Sequence, residues 1–440
     1  ANPLVFAGCI GIAHGEYVAT TPQPGDRIVV LGGRTGRDGL RGATFSSMTM
    51  DATTGDVAGA SVQIGDPITE KLLIDVLGRG QHLFRAITDC GAGGLSSAIG
   101  EMAEGVGASV ELSGLPLKYP GLSPWEIWLS EAQDRMVVAV QDIEPLKEAC
   151  RTYGVECTDV GEFTGDGRLV VRNNGDIVFD LDTDFLHNGR PQRHMTAVMP
   201  SPSRTEMNKA EFVFIFGDID VVSSLQQLLR HPNISSKEVI IHRYDYEIRG
   251  ATLVRPLVGA QLDGHADGVV VAEPLDVHGI AIGIGVNPWF GEQDPERMAL
   301  SVVDEAIRNV VAVGADPDKI ALLDNFSWGD PRRETTLGHL VAAVNGCCTA
   351  AKAFAAPFVS GKDSLNNEYF GSDGERHSVP PTLVITAVAH VPDANATVTP
   401  DLKSTSNVLL VLGHTSCEFG GSHLAKVVNL SVSGVVPDFD

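Results

Sequence analysis

Runs of apolar residues closed by glycine or a carboxylate recur along this chain and set the first reading of it. Arg27-Ile28-Val29-Val30-Leu31-Gly32 reads as a Val/Leu strand closed by glycine. A second apolar lead-in, Leu83 to Ile87, reads as a buried strand that ends on the lone carboxylate Asp89. Further on, Ile219 to Arg230 predicts a helix and Glu238 to His242 a strand. The longest helix candidates are Pro295 to Val313 and Thr335 to Ala355. Strand-like runs also stand near both ends, Leu4 to Ile12 and Val408 to Gly413. Alternating strands and helices of this length predict an α/β protein.

The pattern repeats. Arg27-Ile28-Val29-Val30-Leu31-Gly32 parallels Val408-Leu409-Leu410-Val411-Leu412-Gly413, and Gly42-Ala43-Thr44-Phe45 parallels Gly421-Ser422-His423-Leu424. The expectation is a duplicated domain, complete in its first copy and only begun in its second. Loop and linker signals at Pro22-Gln23-Pro24-Gly25-Asp26, Pro200-Ser201-Pro202-Ser203-Arg204 and Pro392 to Pro400 supply the boundaries. Residues 1–20 read as the tail of an upstream domain and 21–198 as a first α/β unit. Residues 199–251 read as a linker with a helix and a strand, 252–398 as a second unit, and 399–440 as the start of a further one. On this reading the polypeptide is a fragment.

Composition narrows the chemistry. Over 440 residues, 43% hydrophobic and 6% aromatic with 48 glycines, the chain suits an α/β enzyme rich in tight turns. Its formal charge of −24 argues against nucleic acid and anionic membranes as partners. Phosphate must then be held locally, by glycine loops, Mg²⁺ and a few Arg or Lys. Cysteines 9, 90, 150, 157, 347, 348 and 417 form no CxxC pair, which predicts reduced thiols in a cytoplasm. Cys347 and Cys348 are expected in the core. No signal peptide or membrane-length apolar stretch is present.

Several clusters carry candidate chemistry. After Asp89 come Gly91, Gly93 and Gly94 and a helix beginning near Leu95, so backbone N–H groups and a carboxylate meet in one turn. Such a turn could hold a phosphate with Mg²⁺, or could be a plain strand-to-helix connection. The glycine- and arginine-rich stretch Gly32 to Gly42 could grip a phosphorylated substrate, although a solvated basic turn is the simpler reading. Gln63 could bond a substrate amide, while Asp66 is placed to cap a helix starting at Pro67. The polar run Leu129 to Met136 could line a pocket or face solvent. Leu322 to Phe326 and Pro357 to Ser364 predict two further strands ending in polar loops, the second with Lys362, and together they make a nucleotide site plausible.

Seven motifs stand in one order: GGRTGRDGLRGATFSS (32–47), SVQIGDPITEK (61–71), TDCGAGGLSSAIGEMA (88–103), LSEAQDRM (129–136), FLHNGRP (185–191), LLDNFSWGDP (322–331) and SGKDSLNNEY (360–369). In these the chain resembles the phosphoribosylformylglycinamidine synthase family of de novo purine synthesis. The resemblance implies the duplicated architecture of the aminoimidazole ribonucleotide synthetase superfamily, in which ferredoxin-like domains alternate with α/β domains. Residues 21–198 would be the first α/β domain and 252–398 the second ferredoxin-like domain. It implies ATP-driven amidation of formylglycinamide ribonucleotide through a phosphorylated amide, in the cytoplasm. Ammonia would come from a glutaminase subunit or domain, and a small accessory subunit is a further candidate partner.

Residue by residue, the resemblance assigns substrate contacts to Gln63, Glu131, Ala132, Gln133 and Ser364, ATP contacts to Asp324 and Gly361, and Mg²⁺ to Asp89. Lys362 stands where small-form relatives have a metal-binding Asn, and Ala132 where many have Ser, so Ala132 would act through its backbone. No catalytic residue is assigned, because the family's catalytic His belongs to a domain preceding Ala1. The expectation is half an active site, inactive alone. Tyr244-Asp245-Tyr246-Glu247 is read as a strand of a degenerate counterpart. The alternatives are a non-catalytic nucleotide-binding assembly subunit and another kinase-like enzyme of the same superfamily.

Overall fold

The computed structural model describes residues 7–13, 15, 21–40, 49–51, 63–202, 210, 213, 217–243, 247, 250–272, 277–414, 416–428 and 435–438. They divide into two compact units, the first ending at Arg193 and the second beginning at His194 and including Ser47–Asp51.

In the first unit β1 (Arg27–Gly32) is followed by α1 (Pro67–Arg79), β2 (Ala86–Asp89), α2 (Leu95–Met102), β3 (Ala108–Glu111), α3 (Pro124–Leu129) and β4 (Arg135–Val140). Then come α4 (Ile143–Tyr153), β5 (Cys157–Phe163), β6 (Arg168–Asn173), β7 (Asp176–Asp182) and α5 (Thr183–Asn188). The seven strands lie in the order β2-β4-β1-β5-β3-β6-β7. Its ladders are antiparallel except β3 with β6, so the sheet is more antiparallel than a doubly wound α/β fold. Strand β1 is central and explains its own sequence. Ile28 and Val30 face a core containing Leu95, Ala98 and Ile99 of α2. Val29 and Leu31 face a second core with Leu73 and Val76 of α1 and Leu146 and Cys150 of α4. Each such side chain, fully buried, is worth about 1.5–3 kcal/mol of transfer free energy.

Local chemistry sets the ends of these elements. Asp66 caps α1, accepting from the Ile68 N–H, and Pro67 opens the helix. The Thr69 hydroxyl, donating to Asp66 at 2.7 Å, helps hold that carboxyl below its usual range. Ser123 and Glu126 form a capping box on α3. Strand β2 starts at Ala86 because Gln81–Leu83 closes into a short 3₁₀ turn.

The second unit opens with α6 (Val221–Arg230) and α7 (Glu238–Ile241). Its strands are β8 (Thr252–Val254), β9 (Leu257–Val258), β10 (Gly264–His265), β11 (Gly268–Val271), β12 (Gly279–Val286), β13 (Ile320–Trp328), β14 (Phe358–Leu365), β15 (Glu368–Phe370), β16 (Arg376–Ser378) and β17 (Thr382–Val391). Among them stand helices α8 (Pro288–Gly291), α9 (Pro295–Ala312) and α10 (Glu334–Ala353), and α11 (His423–Val427) follows β17. The main sheet runs β14-β13-β17-β12-β11-β8, with β13 and β14 parallel and the other pairs antiparallel. Met298, Val302, Ala306 and Val310 of α9 are fully buried in its core.

Four expectations change here. Glu238–Ile241 is a helical turn rather than a strand, closed by Ile241 N–H to Lys237 C=O and His242 N–H to Glu238 C=O. No sheet edge reaches it among the described residues, and Val239 is 83% exposed. Val408–Leu412 forms no strand among the described residues, and its five side chains are 79–92% exposed. An apolar run needs partners on both edges to become a central strand, and here it has none in the described chain. Residues 7–12 of the first strand-like run are irregular and exposed, and residues 1–6 lie outside the described set. Finally, Cys347 is buried but Cys348 is exposed, since adjacent helical residues point about 100° apart. The repeat's Gly42 to Phe45 also falls outside the described residues, as do Tyr244 to Tyr246. Glu247 pairs with Arg255 at 3.0 Å.

Candidate functional site

The first unit gathers its candidate residues around the five-residue connection Ser130 to Asp134, between α3 and β4. Ser130, Glu131 and Ala132 are buried, and Gln133 and Asp134 half-buried. A buried guanidinium shapes this loop. Arg135 donates to the Ala132 carbonyl at 2.9 Å, to the Ser130 carbonyl at 2.5 Å and to the Thr35 hydroxyl at 2.8 Å. Burial lowers its pKa, yet an arginine keeps its charge at any ordinary pH. Asp134 takes a left-handed backbone with φ +60°. Its carbonyl accepts from Gly33 N–H at 2.8 Å and its carboxylate from Asp66 N–H at 2.7 Å.

Two glycines let other segments close on this loop. Gly94, at the start of α2 with φ +57°, lies against the Ser130 carbonyl, and a Cβ there would overlap that oxygen. Gly39, with φ +62°, lies against the Glu131 side chain and the Gln63 amide. The glycine-rich stretches therefore serve the loop's packing as well as any ligand.

Three of the substrate-assigned residues form one hydrogen-bonded group. The Gln63 amide nitrogen donates to Glu131 Oε2, and the Gln133 amide nitrogen donates to Gln63 Oε1 at 2.6 Å and to the Glu131 carbonyl at 3.2 Å. Glu131 Oε1 accepts from Gly93 N–H at 3.2 Å, so the carboxylate joins the glycine turn to the two glutamines. Glu131 N–H donates to the Asp38 carbonyl at 2.9 Å, and Lys118 holds the Asp38 carboxylate at 2.7 Å. Such a set presents amide and carboxylate groups side by side, suited to a substrate that carries both amide and hydroxyl functions. Ala132 differs: it is 1% exposed, its N–H bonds Ser130 Oγ and its carbonyl bonds Arg135, so both backbone groups are used within the loop.

Asp89 ends the strand as expected and is exposed, but β2 is largely open rather than buried, with only Ala86 of its four residues covered, because it lies at the edge of the sheet. It lines a cleft of about 310 Å³ together with Glu70, Gly91, Gln133 and Asp134. Among the described residues no three His, Cys, Asp or Glu side chains cluster as a metal cage. A Mg²⁺ carried on phosphates needs only one or two protein carboxylates, and Asp89 fits that mode. Beside it, burial pushes the Cys90 thiol up to about 11. A larger apolar cavity of about 810 Å³, lined by Ser97, Trp125, Trp128, Phe179 and Leu186, contains none of the assigned residues. The arginines expected to grip phosphate are otherwise engaged: Arg34 pairs with Glu156 at 2.6 Å and Arg37 with Glu126 at 2.6 Å, while Arg41 lies outside the described residues.

In the second unit Asp324, Gly361 and Ser364 stand on adjacent parallel strands. Asp324 is opposite Gly361, and Ser327 is opposite Ser364. All three assigned positions lie within strands rather than in loops after them, because the β13–β14 ladder continues to Trp328 and Leu365. The Asp324 carboxylate occupies the space that Gly361 leaves open. Burial and then the nearby Asp363 raise its pKa. Lys362 reaches Ser364 Oγ at 3.3 Å.

Comparison with known proteins finds relatives of both units. A family model described as AIR synthase related protein, C-terminal domain, matches residues 23–174, and one described as AIR synthase related protein, N-terminal domain, matches 261–391. Phosphoribosylformylglycinamidine synthase subunit PurL of Thermoplasma acidophilum is 30% identical over 97% of this chain and 56% of its own length. That of Methanopyrus kandleri is 34% identical over 96% of this chain and 57% of its own length. The chain thus spans a little over half the length of these relatives.

Among solved structures, Thermotoga maritima PurL complexed with FGAR superposes with a TM-score of 0.67 at 26% identity, covering 87% of this chain and 57% of the other. The ATP complex of T. maritima PurL gives 0.64 at 25% identity, with 87% and 56% covered. PurLQS from the same organism gives 0.65 at 26%, with 87% and 57% covered. The two matched domain models place the chain in the AIR synthase related proteins, and over nearly its whole length it is similar to phosphoribosylformylglycinamidine synthase subunit PurL.

Proposed function

We propose that this chain takes part in the ATP-dependent amidation of formylglycinamide ribonucleotide to formylglycinamidine ribonucleotide in purine biosynthesis. ATP phosphorylates the amide oxygen, and ammonia displaces phosphate from the resulting iminophosphate. An amide oxygen leaves poorly until it is phosphorylated. The observation that carries this reading is the Gln63–Glu131–Gln133–Gly93 group, in a chain about one-third identical to PurL proteins. In it Gln63, Glu131 and Gln133 orient the ribonucleotide. Asp89 would hold a Mg²⁺ that offsets phosphate charge. Asp324 and Gly361 would contact nucleotide and Ser364 substrate, a reading supported by the ATP complex of the T. maritima relative. Domain limits at 21–198 and 252–398 follow the same reading. Ammonia would come from a glutaminase partner, with a small accessory subunit as a further candidate, and the PurLQS structure from the same organism supports partners for such a chain. A cytoplasmic location belongs to the same reading, in keeping with cysteine spacing that sets out no disulfide framework.

Calorimetric titration of the chain with formylglycinamide ribonucleotide, with and without Mg·ATP, tests the proposal. Glu131→Ala and Gln133→Ala are each expected to weaken ribonucleotide binding by roughly tenfold or more, the usual effect of losing a hydrogen bond to a charged group or leaving its partner unpaired. Arg34→Ala should leave binding unchanged. Equal affinity in all three variants would overturn the substrate assignment. Firm nucleotide binding without any ribonucleotide binding would favour a nucleotide-binding assembly subunit instead.

A further inference from the structure

Two cysteines outside the candidate site meet at the junction of α4 and β5. Cys150 sits in the last turn of α4 and is 1% exposed, while Cys157 opens β5 and is partly exposed. Only a short turn separates them, reversed at Gly154 with φ +71° and closed by Val155 N–H to the Cys150 carbonyl at 2.9 Å. Both side chains belong to the same apolar cluster, Cys150 within it and Cys157 packed against it. We propose that Cys150 and Cys157 are a redox-modifiable dithiol, in which Cys157 reacts with a hydroperoxide and Cys150 resolves the product to an intramolecular disulfide.

The division of labour follows from the surroundings. The neighbouring Cys157 and then burial push the Cys150 thiol up and favour its protonated form. The neighbouring Cys150, with the Lys147 ammonium, favours the Cys157 thiolate against burial and the nearby Asp159 and Glu144. A thiolate with access to solvent is the nucleophile. In the first step Cys157 sulfur attacks a peroxide oxygen. An S–O bond forms, the O–O bond breaks and one water leaves, giving a sulfenic acid. In the second step Cys150 sulfur attacks that sulfur, the S–S bond forms, the S–O bond breaks and a second water leaves. Two thiols and one hydrogen peroxide become one disulfide and two waters.

The position gives the modification a reach beyond itself. Cys157 lies opposite Leu31 in the β1–β5 ladder. The neighbouring Glu156 accepts from Gly32 N–H through its carbonyl at 3.0 Å and pairs with Arg34 through its carboxylate. A disulfide drawing the start of β5 toward α4 therefore acts on the turn that supports Asp134.

The test is peroxide treatment of the full chain, followed by alkylation and peptide mapping by mass spectrometry. The expected product is a Cys150–Cys157 linked peptide, two hydrogens lighter than the reduced pair and restored by dithiothreitol. Cys150→Ser should instead trap a dimedone adduct on Cys157, and Cys157→Ser should leave Cys150 unmodified. The exposed Cys9 and Cys348 report how far oxidation has gone. Full oxidation of those two with no linked peptide in the wild-type chain, a result that needs no variant to fold, would overturn the proposal. So would dimedone on Cys150 in place of Cys157.

Discussion

At Gly94 the backbone has φ +57° and its α-carbon faces the Ser130 carbonyl. Both facts count against any side chain. Gly94→Ala is expected to cost about 2–4 kcal/mol, strain and overlap together, read as a lower denaturant midpoint with an unchanged slope. The same variant should weaken ribonucleotide binding, because the carbonyl it displaces is held by Arg135. Little of this was legible from residue order. The sequence marks Gln63, Glu131 and Gln133 as polar groups near strand ends, but not that they bond one another across 68 and 70 positions. Arg135 went unremarked, since a lone arginine opening an apolar strand looks like any solvated terminus. Its burial is decided by the carbonyls around it, which only the folded loop brings together.

Among the elements, those with strong local signals were read well. Pro295–Ala312 and Glu334–Ala353 end within two residues of their expected limits, and Asp66 with Pro67 marks the start of α1. Elements that depend on a distant partner were read less well. Strands β13 and β14 continue through Asp324 and Gly361 because each supplies the other's hydrogen bonds. Glu238–Ile241, rich in β-branched residues, curls into a turn for want of such a partner. Helix α3 offers an element-scale prediction. Its capping carboxylate Glu126 is held at about 2, first by Arg37 and then by the N–H and hydroxyl of Ser123, below the ordinary 4.5. A carboxylate depressed on folding stabilises above its unfolded pKa and loses that contribution as pH falls toward the folded value. Wild-type stability should therefore decline as pH falls from about 4.5 toward 2, and Glu126→Gln should remove part of that slope in denaturation curves taken at about pH 5 and pH 3.

On the scale of the whole molecule, Val408–Leu412 has the composition of a central strand but forms none among the described residues, and its side chains are left uncovered. An uncharged run without proline and with open backbone edges is a template for pairing between copies. The chain's charge of −24 opposes such encounters. Salt shortens the reach of that repulsion to about 10 Å at 0.1 M while leaving apolar attraction intact. Light scattering should accordingly show apparent mass rising with added sodium chloride, and Leu410→Lys should flatten the rise. A mass independent of salt in both proteins would assign the run no part in association. The exposed stretch thus ties the colloidal behaviour of this chain to its ionic surroundings.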